Sequence, residues 1–290
     1  MLDTDLVVPA GARLLVGPGT TLDLVRGAKI LSRSPVELRG RSDAPVAIVS
    51  SDRSGQGLAV LQAGSPSRIE HARFEGLRGA RELGGRLGGA VTFYESPVEI
   101  SSSTFESNGA GRAVLAIRSR LTVDGSTLRD GPGDALGCDF CELEVTRSHI
   151  LRFAGDAIEV SGGAGRLDDV EVEGAGGAGV RARAASELVA ARLRVARAGF
   201  GVIAEDRAKL RVEDLHVREC TWASAALQGR SEPGPAELRI SKLSGETKEL
   251  RHLVQPGSTA MLDGELLAPS PERILQEVLH GEPRAVAAKR

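Results

Sequence analysis

A four-residue phrase returns at a fixed step through the middle of the chain. It reads Gly111-Arg112-Ala113-Val114, Gly133-Asp134-Ala135-Leu136, Gly155-Asp156-Ala157-Ile158, Gly177-Ala178-Gly179-Val180 and Gly199-Phe200-Gly201-Val202, so the aliphatic ends are 22 residues apart. A second series keeps the same step. Leu121 and Val123 return as Leu143 and Val145, Ser126 and Leu128 as Ser148 and Ile150, and Leu188, Leu193 and Val195 as Leu210, Leu215 and Val217. Two columns with one period define a repeat architecture, in which no unit buries its apolar face alone and stacking neighbours supply the core.

Aliphatic residues alternate with polar ones within each run, which predicts strands with one buried face. The loops between runs are too short for crossover helices, so a doubly wound sheet is excluded. Each strand then pairs with its equivalent one coil on, at about 4.8 Å. Roughly ten coils make a rod on the order of 50 Å long. Aromatics are 3% of the 290 residues, against 36 glycines, which suits narrow coils filled by small aliphatics. Lysine plus arginine number 37 against 39 acids, so no basic surface points to nucleic acid. No apolar run nears the roughly 18 residues of a membrane span. The first residues hold no basic-then-apolar leader. This is read as a cytoplasmic chain or one whose leader lies outside the sequence.

The chain divides into a β-helix over residues 1–268 and a C-terminal helix and tail over residues 269–290. Coils over residues 1–90 are irregular, those over residues 91–225 regular, and residues 226–268 make the last ones. Leu58 and Val91 are 33 apart, and the polar, Gly-rich residues 76–89 account for the excess. Within that coil residues 67–74 read as one strand with alternating faces. Near the end, Ser270 and Pro271 are placed to start a helix as cap and first residue. Ile274, Leu275, Val278 and Leu279 fall on one face, and Gly281 and Pro283 stop it. Such a helix either folds over the exposed edge of the last coil or serves a partner, including self-association.

The opening carries Val8-Pro9-Ala10-Gly11, Gly17-Pro18-Gly19-Thr20 and Ala44-Pro45-Val46. This phrase resembles the first coil of bacterial right-handed parallel β-helix proteins of the pectate-lyase-like superfamily. The resemblance runs from about residue 6 to about residue 260. It implies an all-β, single-stranded right-handed parallel β-helix of about ten coils, with a short C-terminal helix. It also implies an extracellular or cell-surface setting and a polysaccharide context. The superfamily holds polysaccharide lyases, polygalacturonase-like hydrolases, mannuronan epimerases and members without known activity. Fold of this kind does not give function.

The period lets outward columns be read directly. One runs Arg112, Asp134, Asp156, Ala178, Phe200; a second Leu115, Gly137, Glu159, Arg181, Ile203; a third Ile117, Asp139, Ser161, Arg183, Glu205. Asp134, Asp139, Asp156 and Glu159 thus lie on two adjacent coils, flanked by Arg112, Arg181 and Arg183. As a catalytic set, paired carboxylates split into acid and base roles. As a metal set, they would offer oxygens to Ca²⁺. Ca²⁺ with a basic residue is what the resemblance implies for lyases, and otherwise no cofactor or metal is expected. In the plain structural reading, Asp134 and Asp156 bond turn backbone and the arginines neutralise the ladder. Gly155-Asp156-Ala157 resembles the paired-Asp segment of polygalacturonases, yet their Gly-His-Gly and Arg-Ile-Lys segments are missing.

Other groups carry less. Cys138-Asp139-Phe140-Cys141 has redox or zinc spacing without a second pair, and Cys138 shares the inward parity of a buried hydrophobe. Three cysteines are too few for a disulfide framework. The five histidines are scattered, with His149 facing out. Ser126 and Ser148 form a stacked turn ladder. Phe93, Tyr94, Phe140 and Trp222 are candidates for sugar stacking or for plugging the core, and Tyr94 falls in the third column. The first expectation for function is a non-catalytic binding or scaffold module for a polysaccharide or a cell-surface partner. The alternative is a carbohydrate-active enzyme, lyase or hydrolase, using Asp134, Asp139, Asp156 and Glu159 with substrate held by Arg112, Arg181, Arg183 and Tyr94. A further alternative is that the chain is one part of a larger protein whose chemistry lies elsewhere.

Overall fold

The computed structural model describes residues 1–80, 88–228, 234–246 and 250–280. The chain winds into a right-handed parallel β-helix of about 11 turns. One inward column runs from Leu6 through Val114, Leu136, Ile158, Val180 and Val202 to His252, each paired in parallel with its neighbour. A coil holds three strands rather than two. Face A carries the repeated phrase, as in Arg112–Ile117. Face B carries Arg120–Asp124 and its equivalents, and face C carries Thr127–Gly131 and its equivalents. Sequence periodicity merged faces B and C because few residues separate them. For the same reason residues 67–74 form two strands, Ser67–Glu70 and Ala72–Glu75, split at His71.

The corners turn on one or two residues in the left-handed region. Between faces A and B these include Glu95, Arg118, Phe140, Gly162, Ala184 and Asp206; Arg147 and Arg152 mark the other two corners of one coil. Left-handed φ costs a residue other than glycine roughly 1–2 kcal/mol. The bend keeps its main-chain bonds all the same: Arg118 N–H donates to Asp139 O at 2.8 Å on the next coil. The core is a set of aliphatic ladders with few aromatics. Phe74 and Phe105 stack at 4.8 Å, and Phe93 is fully buried, so Phe93 plugs the core. Ser103, Ser126 and Ser148 form the expected ladder, each hydroxyl accepting a backbone N–H from the coil before.

The glycines of the repeated phrase are set by crowding between coils rather than by φ. A Cβ on Gly133 would sit 2.1 Å from Gly111 O, and one on Gly155 would sit 2.1 Å from Asp134 Oδ1. Gly177 would meet Asp156 Oδ1 at 2.2 Å. By contrast, the nearest atom to a Cβ on Gly111 is 3.8 Å away.

The C-terminal end is covered in two ways. Glu265–Leu266 folds back antiparallel on Thr259–Leu262. Ser270 then mimics a strand residue, its N–H donating to Val254 O at 2.8 Å and its hydroxyl accepting Val254 N–H at 3.0 Å. Ser270 is therefore spent on the sheet edge rather than as a helix cap. The helix, α1, spans Glu272–His280. Its Leu275, with Ile274, Val278 and Leu279, packs on the outside of face A against Ile203, Trp222, Ala225, Leu227 and Leu253. The expected helix over the last coil thus lies along its flank. Gly281, Pro283 and part of residues 76–89 lie outside the described residues. No described helix is long and apolar enough to cross a membrane.

Gly133→Ala should lower stability by about 1–3 kcal/mol, because two backbones must separate. Gly111→Ala should leave it nearly unchanged. Urea unfolding of the two variants measures the contrast directly.

Candidate functional site

The outward side of face A holds the charged cluster, and the 22-residue register places every member. Asp134 and Asp156 stand one coil apart, each beside a phrase glycine. Asp134 Oδ1 accepts the Asp156 backbone N–H at 2.8 Å, and Asp156 Oδ1 accepts the Ala178 N–H at 2.6 Å. Arginines take the remaining oxygens. Arg112 reaches Asp134 at 3.4 Å and Glu159 at 2.7 Å. Arg181 reaches Asp156 at 2.6 Å and Glu205 at 3.2 Å, and Arg183 reaches Glu159 at 3.0 Å and Glu205 at 3.6 Å. Asp156 and Glu159 are only 8% and 6% exposed, so these outward columns are covered by their own neighbours. Glu205 completes the network. It stands one period beyond Arg183, and pairing of opposite charges down a column is the signal that points to it.

Asp139 is the exception. Among the described residues it forms no ion pair within 4 Å, and Arg112 and Arg183 act on it only from further away. Burial pushes its carboxyl above the usual range, against those two arginines. Burial likewise raises Asp134, with Asp156 and Glu159 adding to the shift, and raises Glu205 against Arg181 and Arg183. Glu159 goes the other way. Burial acts to raise it, but the Arg112 and Arg183 guanidiniums outweigh that and hold it low.

Six of the seven expected cluster residues are joined in one network, with Asp139 at its edge. Tyr94 stands apart, packed in an apolar patch with Ala59, Leu61, Ala80 and Ile117. Among the described residues no group of three histidines, cysteines or acids is placed to hold a metal. The cluster does not fit Ca²⁺, which takes six to eight oxygens; here nearly all the carboxylates are already committed to guanidiniums and backbone N–H groups. Cys138 is buried, as its parity implies, and is joined to Cys141 in a disulfide across the corner. His149 faces out and meets Glu171 at 3.1 Å. Trp222 is buried under α1, with Arg251 over its ring at 4.0 Å.

The larger clefts among the described residues lie elsewhere. One of about 640 Å³ follows the corner between faces A and B and is lined by residues such as Pro97, Arg118, Ser119 and Phe140. The other, about 700 Å³, lies at the corner between faces C and A, with Arg53, Arg78 and several glycines. Neither includes a member of the charged cluster.

No protein-family model matches the chain, and no curated protein matches it. Among solved structures it is similar to the catalytic domain of a GH87 alpha-1,3-glucanase in complex with nigerose, at 10% identity and a TM-score of 0.50. That alignment covers 90% of this chain and 53% of the glucanase domain, so the chain spans about half its length. A lower score, 0.26 at 12% identity, joins it to the A-module of the Azotobacter vinelandii mannuronan C-5 epimerase AlgE6, covering 93% of this chain and 92% of that one. The likeness to the glucanase domain defines the class, a parallel β-helix.

Arg181→Ala leaves the buried Asp156 carboxylate without a guanidinium and Glu205 with Arg183 alone, and should cost about 3 kcal/mol in urea unfolding. Asp139→Asn should act in the opposite sense. Its carboxyl titrates higher folded than unfolded, so the native state binds the extra proton between those two values and loses stability as pH rises through them. The variant should therefore melt higher than wild type at pH 7, and the gain should vanish below about pH 4.

Proposed function

We propose that the chain is a non-catalytic β-helix module that binds a polysaccharide. One observation carries this reading: the acids best placed for catalysis are already spent on one another's arginines and on backbone N–H groups. A general acid or base must be free to exchange a proton with substrate, and Asp134, Asp156 and Glu159 are held as structural partners instead. Among the described residues, neither of the two clefts at the corners includes them. A polysaccharide is favoured as ligand by the long, regular, polar faces of the solenoid. The similarity in fold to a glucanase domain captured with nigerose supports the same ligand class.

The test is a screen against neutral and uronate-containing polysaccharides, with and without Ca²⁺. The expected result is retention of at least one polysaccharide with no release of reducing ends. Asp134→Asn/Asp156→Asn should bind as well as wild type while melting lower. Chain cleavage by the wild-type protein would overturn the reading.

Asp139 supports a second reading, a carbohydrate-active enzyme. Its carboxyl is unpaired, raised by burial, and faces two arginines. In that case Asp139→Asn would abolish turnover while leaving the fold intact.

A further inference from the structure

Phe140 sits on a surface otherwise faced with charged and small side chains. It is 63% exposed and is the one aromatic among the large exposed hydrophobics of the described residues. It occupies a corner position at φ 54°, where a bulky residue is disfavoured. Its ring leans on Gly162, the equivalent corner one coil on, where a Cβ would come within 2.7 Å of the ring. One side of the ring is thus backed by main chain. The disulfide between Cys138 and Cys141 brackets the corner that presents it. Asp139 faces the cluster on face A, while Phe140 lines the separate cleft of about 640 Å³ at the corner. That volume is in the range of small-ligand sites.

Two further features of this cleft describe its occupant. Its lining holds three acids, Glu95, Glu99 and Glu142, against two arginines, Arg118 and Arg120, and each acid has an arginine partner, that of Glu99 lying outside the lining. Arg120 pairs with Glu142 at 2.5 Å, Arg118 with Glu95 at 3.7 Å, and Glu99 with Arg68 at 3.3 Å. An anionic chain would have to displace an acid from its arginine, whereas a neutral hydroxyl can share the outer lone pairs and N–H groups of an existing pair. Independently, Ser119 lines the cleft, and its hydroxyl oxygen is buried with no hydrogen-bond partner among the described residues. A buried hydroxyl without a partner is destabilising, and a ligand hydroxyl would remove that penalty. A sugar ring offers both complements, a C–H face for the aromatic ring and hydroxyls on its rim.

We infer that this cleft is a binding site for a neutral glycan chain, with one sugar ring stacked on Phe140 and a sugar hydroxyl bonded to Ser119. The inference rests on the polysaccharide-binding reading above and gives it a location and a ligand class.

Calorimetric titration with cellohexaose, laminarihexaose, maltohexaose and hexagalacturonate tests it. At least one neutral hexamer should bind more tightly than hexagalacturonate. Its affinity should hold between about 0.05 and 0.5 M salt, since no ion pair forms with the ligand. Phe140→Ala should weaken that binding about tenfold, the order expected for loss of a ring contact, and Phe140→Trp should retain it. Ser119→Ala should weaken it as well, and it provides the reading should Phe140→Ala lower the melting temperature. Binding that ignores both Phe140→Ala and Ser119→Ala would overturn the site while leaving polysaccharide binding standing. Tighter binding of hexagalacturonate would overturn the ligand class. Failure of all four glycans to bind would overturn the site and the function together.

Discussion

Everything in this protein follows from the distance between one coil and the next. Parallel pairing sets that distance at about 4.8 Å, and it holds along three faces at once. Side chains in a column are therefore forced into contact with their own equivalents. Inside, that requirement selects aliphatics that stack like on like, and it explains how a chain with so few aromatics still makes a continuous core. At the repeated phrase it selects glycine, since Gly133, Gly155 and Gly177 leave no room for a Cβ against the coil before.

The same spacing governs the charges. Two like charges one coil apart repel, and in several columns an acid and an arginine face each other from coil to coil. Arg120 over Glu142 and Arg152 over Asp130 show this on the exposed faces, at 22-residue separations. Pairs of that kind contribute little to stability individually. The cluster on face A is different because it is largely buried. There Arg181 and Arg183 must satisfy Asp156, Glu159 and Glu205 together. The arrangement serves the fold first. What is left over for a ligand lies around the corner, where each acid is paired with an arginine and one ring is open.

Much of the fold was legible in the sequence. The 22-residue step gave the parallel register, and with it the neighbours of Asp134, Asp156, Glu159 and Arg181, because a regular coil converts sequence separation into spatial order. The number of faces was less legible. His71 and Arg147 turn the corner between faces B and C in a left-handed conformation that their residue types do not announce, so the periodicity runs the strands of those two faces together. The helix was legible from Ile274, Leu275, Val278 and Leu279, but its docking place was not. Amphipathicity says that a face will be buried, not against what, and the outer surface of face A became apolar only through Ile203, Ala225 and Leu253 falling in one column.

The sequence by itself determined the solenoid, its period and the columns of its faces, since these depend on local alternation and a constant repeat. Tertiary structure decided which charges are spent and which are open. Whether Asp156 is a catalyst or a strut depends on where the Arg181 guanidinium ends, and a flexible four-bond side chain leaves no trace of that in the period. It also decided that Phe140 faces out while Phe93 and Trp222 are covered, because exposure is set by what the rest of the chain packs against each ring.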